Sequence, residues 1–158
     1  MTTRPQRYWL MKCEPTSYSI DDLAREQVTF WNGVRNFQAR NFLRDDIALG
    51  DRVLFYHSNA EPSGVAGLAR VVKNGYADHS ALDPQSKYFD PKSTNENPIW
   101  FMVDIEFVAK FPRVIALSEL KEEPELSGMM VLQRGSRLSV QPVSAEHYAW
   151  IVGMSRGS

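Results

Sequence analysis

Hydrophobic and polar side chains alternate most regularly between Ile99 and Val108, where every second residue from Ile99 to Phe107 is aliphatic or phenyl. A period of two predicts a strand with one face turned toward a core. Shorter apolar or β-branched runs predict further strands at Tyr8–Cys13, Val28–Trp31, Val53–Ser58 and Val65–Val72, with an extended segment at Leu138–Gln141.

Helices are predicted where a capping residue precedes apolar residues spaced three and four apart. Ser19 and Asp22 form a capping-box pattern, which predicts a helix that ends near Gln27. Asn36 can cap a second helix over Asn36–Arg44. The remaining predicted helices are two short segments at Leu117–Glu122 and Leu126–Leu132, and a final helix that Ser144 caps and Gly153 ends.

The order of these elements favours an α+β fold built on a small mixed β-barrel. Five or six strands and several short helices follow one another without the regular strand–helix alternation of a parallel sheet. The small residues Gly64, Ala66, Gly67 and Ala69 predict a close approach of two backbones, a sharp bend or a tightly coiled barrel. We expect one domain over residues 1–158, with its core between about residues 8 and 153.

Composition and charge narrow the class of protein. Hydrophobic residues make up 43% of the chain and the net charge is −1, which is typical of an ordinary globular domain. A protein that binds long nucleic acids through phosphates is usually strongly basic, so any nucleic-acid site here should be local. With Cys13 as the one cysteine and no apolar signal or membrane segment, we expect a soluble protein of the bacterial cytosol, or of the nucleus in a eukaryotic source.

The segment Trp31–Arg44 combines the side chains that a nucleic-acid site needs. It contains a tryptophan, asparagines and arginines, and its first acidic neighbour is Asp45. Aromatic faces stack on bases, guanidinium groups bind phosphates and amides read base edges. Each residue also has a structural interpretation: Trp31 as a core side chain, Asn36 as a helix cap, and Arg40 and Arg44 as a solvated helix face. Arg35, beside the turn, is the best candidate for a ligand contact.

Catalytic and metal chemistry are not supported by the sequence. His57 and Ser58 are adjacent on a predicted strand and therefore point to opposite faces, which disfavours a Ser–His pair. His57 then either donates to a ligand or is a satisfied core histidine. No histidine or cysteine pair has the spacing of metal ligands, and no phosphate-binding glycine loop occurs, so we expect no metal and no cofactor.

Four blocks, taken in order, resemble the EVE domain family: Trp9–Pro15, Trp31–Asn36, Leu54–Asn59 with Gly64–Gly67, and Arg137–Pro142. Tyr88–Lys92 and Pro98–Trp100 are also similar to the family pattern. The resemblance runs from about Tyr8 to Gly153 and departs at Cys13, where the family often has serine. It implies a PUA-like pseudobarrel, related to the YTH domains that read methylated adenine, with a pocket for a modified base. Modified cytosine in DNA is the usual proposal for this branch.

We therefore expect a non-catalytic domain that binds DNA or RNA carrying a modified base. Trp31 and Tyr56 would stack on the base, Arg35 would contact it or a phosphate, and Asn36, His57, Ser139 and Gln141 would supply hydrogen bonds. Arg137, Ser139 and Gln141 alternate on an extended segment and should share one face. The full set of expected site residues comprises polar or aromatic side chains of the four blocks, together with one valine: Lys12, Glu14, Trp31, Val34, Arg35, Asn36, Tyr56, His57, Ser58, Arg137, Ser139 and Gln141.

Two alternatives stay open on sequence alone. One is an enzyme that acts on nucleotides or RNA. The other is a protein-interaction module that uses the long polar stretch 78–97, since a stretch of that length without a clear element is often functional. No membrane partner is expected, and a protein partner is left open.

Overall fold

Six strands form one mixed sheet in the computed structural model, which describes residues 5–134 and 137–157. The strands are β1 (Tyr8–Cys13), β2 (Val28–Phe30), β3 (Arg52–His57), β4 (Gly64–Ala77), β5 (Phe101–Ala116) and β6 (Val140–Val143). Their order across the sheet is β2-β5-β4-β3-β1-β6. β1 and β3 are parallel and the other neighbouring pairs are antiparallel. The predicted α+β class with a mixed sheet is confirmed.

Within the described residues, four short α-helices accompany the sheet: α1 (Ile20–Glu26), α2 (Phe37–Asn41), α3 (Leu117–Lys121) and α4 (Ala145–Arg156). A π-helical turn, Phe42–Asp46, continues α2, and 3-10 turns lie at His79–Leu82, Pro124–Leu126 and Met130–Leu132. The capping box of α1 is present as predicted, with the hydroxyl of Ser19 accepting from the Asp22 N–H at 3.1 Å. No helix in the described part of the chain is long and apolar enough to cross a membrane.

The sheet carries a separate hydrophobic core on each face, because successive strand residues point in opposite directions. On the face covered by α1 and α2, which we call the first face, Met11 and Phe55 pack with Leu23 and Leu43. On the second face, covered by α3 and α4, the core contains the alternate strand residues together with helix residues, among them Leu10, Leu54, Tyr56, Leu120 and Ile151. This division decides which predicted site residues can share a pocket.

β4 and β5 are longer than their sequence patterns predict. Register shifts interrupt the pairing of β4 with β5 at several places, which hides the strand period in the sequence. The predicted close approach is present at Gly67, where a Cβ atom would lie 2.4 Å from the backbone oxygen of Ala109. Any larger residue at Gly67 would therefore separate these two strands.

Two helix predictions are wrong, one for a whole helix and one for the end of a helix. The helix predicted over Leu126–Leu132 is broken into 3-10 turns because Gly128, at φ +94°, cannot continue a right-handed helix. The final helix passes through Gly153 and ends at Arg156. Gly153 is not among the glycines with a positive φ, so the backbone stays right-handed there and the helix continues.

Candidate functional site

A cavity of about 350 Å³ opens on the first face, where β1 and β2 end. Four rings line it: Tyr18, Phe30, Trp31 and Tyr88. Polar groups and one thiol complete the lining, from Ser17, Thr29, Asn32, Lys87 and Cys13. We call this cavity the aromatic pocket. Concave sites of this size, with apolar walls and a few polar groups, are typical of small-ligand sites.

Trp31 belongs to the pocket wall and to the core at once. Its side chain lines the cavity, yet the residue is only 7% exposed. The indole meets the ring of Phe55 edge-on, with 5.6 Å between centroids, and its backbone N–H donates to Val103 at 2.8 Å. Trp31 therefore occupies both places that the sequence indicated, a cavity wall and the core, and its contact with a base stays a prediction. Fixed from behind by the core, the ring presents a rigid surface to the cavity.

The turn that follows Trp31 is held by a buried carboxylate, Asp78. Its Oδ2 accepts from the Gly33 N–H at 2.8 Å and from the Arg35 guanidinium at 3.0 Å. Its Oδ1 accepts from the N–H of Ser80 at 2.8 Å and from its hydroxyl. Burial by itself would raise the pKa of Asp78, but the hydrogen bonds from Ser80, Gly33 and Arg35 outweigh it and hold this pKa below its ordinary value.

Arg35 anchors the loop that carries Tyr88. Its Nε and Nη2 donate to the backbone oxygen of Tyr88 at 3.2 and 2.7 Å, and its Nη1 also donates to the oxygen of Val34 at 2.9 Å. The guanidinium carbon lies 5.5 Å from the centre of the Tyr88 ring. These contacts are internal to the protein, and the expected contact of Arg35 with a phosphate or base stays a prediction. Arg35 acts as a positioning residue for one pocket wall.

Gly33, which has no side chain, leaves the space that the Tyr88 ring occupies. The residue has φ +80°, and a Cβ atom built on it would lie 2.6 Å from the ring carbon Cζ of Tyr88. The predicted Asn32–Gly33 turn therefore satisfies two demands, a left-handed backbone and close contact with an aromatic ring. The ring rests directly on the turn.

Replacing Gly33 by alanine is expected to displace the Tyr88 ring as well as strain the turn. The left-handed backbone alone costs about 1–2 kcal/mol for a non-glycine residue. Gly50→Ala is a matched control, because Gly50 has φ +94° and open space around it. Urea unfolding should show a larger loss for Gly33→Ala than for Gly50→Ala, and aromatic NMR shifts of Tyr88 should change only in the former. Equal losses with unchanged Tyr88 shifts would contradict this contact.

Tyr56 and Lys12 lie on the second face of the sheet, away from the aromatic pocket. Tyr56 is 3% exposed and packs in the second core, whereas its neighbour Phe55 contacts Trp31 on the first face. The expectation that Trp31 and Tyr56 share one pocket is therefore wrong.

Lys12 and Tyr56 line a second cavity of about 440 Å³, together with Lys121 and Arg134. Lys12 Nζ lies 5.8 Å from the Tyr56 ring centre. Burial lowers the pKa of Lys12 and raises that of Tyr56.

His57 is a satisfied histidine that supports α1. Its Nε2 accepts from the N–H of Ile20 at 3.1 Å, at the first residue of that helix. Burial lowers the pKa of His57, with a further lowering from Lys110 that the charge of Asp21 opposes, so the ring is neutral near pH 7. The backbone N–H of Ser58 donates to Cys13 at 2.8 Å. Neither residue is among those that line the aromatic pocket.

The other expected site residues serve the fold or lie at the surface. Asn36 caps α2, since its Oδ1 accepts from the Ala39 N–H at 3.0 Å, and Val34 is buried in the first core. Gln141 is 1% exposed and donates to the oxygen of Leu138 at 2.8 Å, so it is enclosed rather than presented to a ligand.

The surface members of the expected set do not meet in one place. Glu14 is exposed and accepts from Asn59 at 2.6 Å. The carbonyl of Ser139 accepts from the Lys12 N–H at 2.8 Å, and Arg137 is exposed. Arg137, Ser139 and Gln141 therefore do not present one common face to solvent, because Gln141 is enclosed and Arg137 is exposed.

The sequence did not indicate that Tyr18, Phe30 and Tyr88 line the pocket. It also did not indicate that Asp78 holds the turn that follows Trp31. For Tyr88 a signal existed, because Tyr88–Lys92 lies within a stretch similar to the family pattern. The buried position of Asp78 has no local signal, since its partners Gly33 and Arg35 are 45 and 43 residues away. Among the residues that the structure describes, no three histidine, cysteine or acidic side chains form a group that could hold a metal ion.

The sequence model of the EVE domain family matches residues 7–154. Thymocyte nuclear protein 1 from Homo sapiens is 40% identical over 166 aligned residues, which cover 93% of this chain and 73% of that protein. A hypothetical protein from Leishmania major has a similar structure, with a TM-score of 0.92 at 52% identity and 96% of each chain covered.

A second similar structure contains DNA. It is human THYN1 protein in complex with DNA that contains 5-methylcytosine, with a TM-score of 0.89 and 39% identity. The similarity covers 97% of this chain and 99% of that one.

Proposed function

Because this chain belongs to the EVE domain family, we propose that its aromatic pocket binds a single modified base of DNA, with modified cytosine as the first candidate. The observation that carries the proposal is the pocket itself, with four rings around a cavity of about 350 Å³. A planar base can stack on such rings, and the apolar walls can bury a methyl group. The hydroxyls of Ser17 and Thr29 and the amide of Asn32 supply hydrogen-bonding groups at the same cavity.

The net charge of the protein favours a site that binds one base. It does not favour a surface that binds many phosphates along a nucleic-acid backbone. A net charge of −1 gives little non-specific attraction to phosphates. A base can enter the pocket only after it leaves its stack, which costs a few kcal/mol and least in a single strand. The human relative in complex with 5-methylcytosine DNA supports DNA as the first ligand to test. RNA carrying the same base is the comparison.

We further propose that binding here is not followed by catalysis. His57, the histidine that the sequence places beside Ser58, uses Nε2 to accept from the backbone of α1. The pocket thiol, Cys13, donates to the oxygen of Tyr18 at 2.9 Å, and burial with the charge of Asp22 raises its pKa to about 12. A thiol in this state is a poor nucleophile at neutral pH.

The stretch 78–97 contributes to the pocket in this account. It supplies the clamp Asp78 and the wall Tyr88, and Ser80 and Ser93 are buried within it. These contacts favour a role in shaping the base site over a role as a free docking loop. The human relative carries the name of a nuclear protein, which suits a DNA ligand.

Replacing Tyr88 by alanine is expected to weaken binding of single-stranded DNA with one 5-methylcytosine. Loss of one stacking wall removes about 1–3 kcal/mol, which corresponds to a roughly 5- to 150-fold higher Kd. Phe89→Ala is the matched control, because Phe89 is the adjacent aromatic residue, is 40% exposed and is outside the pocket lining. Isothermal titration at fixed low salt measures both variants.

The dissociation constants of Tyr88→Ala and Phe89→Ala show whether the ligand occupies the aromatic pocket. Tyr88→Ala should lose affinity while Phe89→Ala keeps the wild-type Kd, with both unfolding cooperatively. If both variants bind as tightly as the wild type, the ligand does not occupy the aromatic pocket and the proposal fails.

A further inference from the structure

Phe37 presents an aromatic ring to solvent beside the turn that shapes the aromatic pocket. The residue is 58% exposed, although it begins α2 within a well-packed part of the fold. Its ring stacks on Trp100, with 4.8 Å between centroids and 25° between the planes. Trp100 is itself fixed, because it is 6% exposed and its Nε1 donates to Asp90 at 2.7 Å. The exposed ring therefore stands on a rigid support.

A continuous row of rings and cations joins Phe37 to the aromatic pocket. The guanidinium carbon of Arg35 lies 5.5 Å from the Tyr88 ring centre on one side and 5.2 Å from that of Trp100 on the other. Trp100 then stacks with Phe37. At the pocket end of the row, Lys87 Nζ lies 5.0 Å from the Tyr88 ring centre. The pocket wall and the exposed ring belong to one connected structure.

Positive charge accompanies the exposed ring. The guanidinium carbon of Arg40 lies 5.0 Å from the centre of the Phe37 ring. Arg40 donates to the backbone oxygen of Ile99 at 2.7 Å and to the amide oxygen of Asn41 at 2.9 Å, and both of these oxygens are neutral. Arg44, one turn further, is instead paired with Asp45. The charge beside Phe37 therefore comes from Arg40, and it complements an anionic strand.

We propose that Phe37 is a second stacking position, which holds the nucleobase next to the one in the aromatic pocket while Arg40 faces the intervening phosphate. This inference rests on the proposed function, because the DNA strand that contacts Phe37 is the one whose modified base occupies the aromatic pocket. An exposed ring with a cation beside it is the usual means of holding an unpaired base without reading its sequence. Removing one base from a duplex exposes the faces of its neighbours, so such a position adds affinity for a strand and none for an isolated nucleoside.

The test compares two ligands that differ in whether they can reach Phe37. The nucleoside 5-methyl-2′-deoxycytidine can fill only the aromatic pocket, whereas a short single-stranded DNA with one central 5-methylcytosine can also reach the second position. Phe37→Ala is expected to raise the Kd of the oligonucleotide about tenfold and to leave the Kd of the nucleoside unchanged. Phe37→Trp, which keeps an aromatic face, is expected to bind both ligands as the wild type does.

Leu49→Ala is the control for loss of an exposed apolar side chain, since Leu49 is 68% exposed and is not part of the row. It should bind both ligands as the wild type does, and thermal unfolding should confirm that every variant is folded. Equal oligonucleotide affinities of Phe37→Ala and the wild type would overturn the inference, as would a parallel loss of nucleoside affinity. Failure of the proposed function itself looks different, because the wild type would then not bind the nucleoside, or Tyr88→Ala would bind it as tightly as the wild type does.

Discussion

Replacing Trp31 by alanine is expected to lower the free energy of unfolding by about 3–5 kcal/mol and to abolish binding of the modified base. The indole is 7% exposed and packs edge-on against Phe55, so its removal leaves a cavity in the first core. The same change deletes the pocket wall that is held most rigidly. Urea unfolding measures the first effect and titration with a methylated oligonucleotide measures the second.

Two companion variants separate the two roles of Trp31. Trp31→Phe keeps an aromatic wall and part of the packing, so it should lose less stability and retain measurable binding. Trp150→Ala is the matched control for loss of a tryptophan, because Trp150 is 42% exposed and lies on α4. If Trp31→Ala and Trp150→Ala unfold at the same urea concentration, Trp31 is not the core residue described here.

Stability should depend on pH through Asp78, and Asp78→Asn should remove that dependence. The hydrogen bonds from Ser80, Gly33 and Arg35 hold the pKa of Asp78 below its ordinary value despite its burial. A carboxyl with a depressed folded pKa stabilises the protein fully above its unfolded pKa of about 3.9 and loses that effect as the pH falls through the folded value. The variant should therefore be much less stable than the wild type at pH 7, by about 3–5 kcal/mol if the Arg35 charge is left unpaired.

Urea unfolding of both proteins at pH 7 and at pH 3 measures this contribution. The stability difference between them should shrink at pH 3, because this pH lies below the unfolded pKa of about 3.9 and the unfolded chain then takes up the proton. A difference of the same size at both pH values would show that the charge of Asp78 does not hold the turn.

Local patterns predicted the framework of the fold because they depend on near neighbours in the sequence. The capping box of Ser19 and the strand at Tyr8–Cys13 were correct at their boundaries. β5 was predicted only to Val108 because register shifts end the clean alternation, although the strand continues to Ala116. Bulges change the direction of side chains without changing the strand, so a strict period of two underestimates such strands.

The sequence predicted part of the pocket, and the errors in that prediction have a physical cause. Trp31 was identified correctly as a wall residue, because it precedes a turn within a distinctive block. Tyr56 was assigned to the same pocket although Phe55, its neighbour, faces Trp31, and only the strand pairing reveals which of the two does so. The internal role of Arg35 depends on Asp78 and on the backbone of Tyr88, both far away in the sequence. A sequence shows that an arginine is present, but its partner is set by the fold.

The central claim is that the aromatic pocket distinguishes a modified cytosine from an ordinary one. The most direct test titrates the wild-type protein with two short single-stranded DNAs of the same sequence, one with cytosine and one with 5-methylcytosine at its centre, at one low salt concentration. Burial of the methyl group against the pocket rings should give a Kd at least about fourfold lower for the methylated strand. Equal dissociation constants for the two strands would contradict the claim.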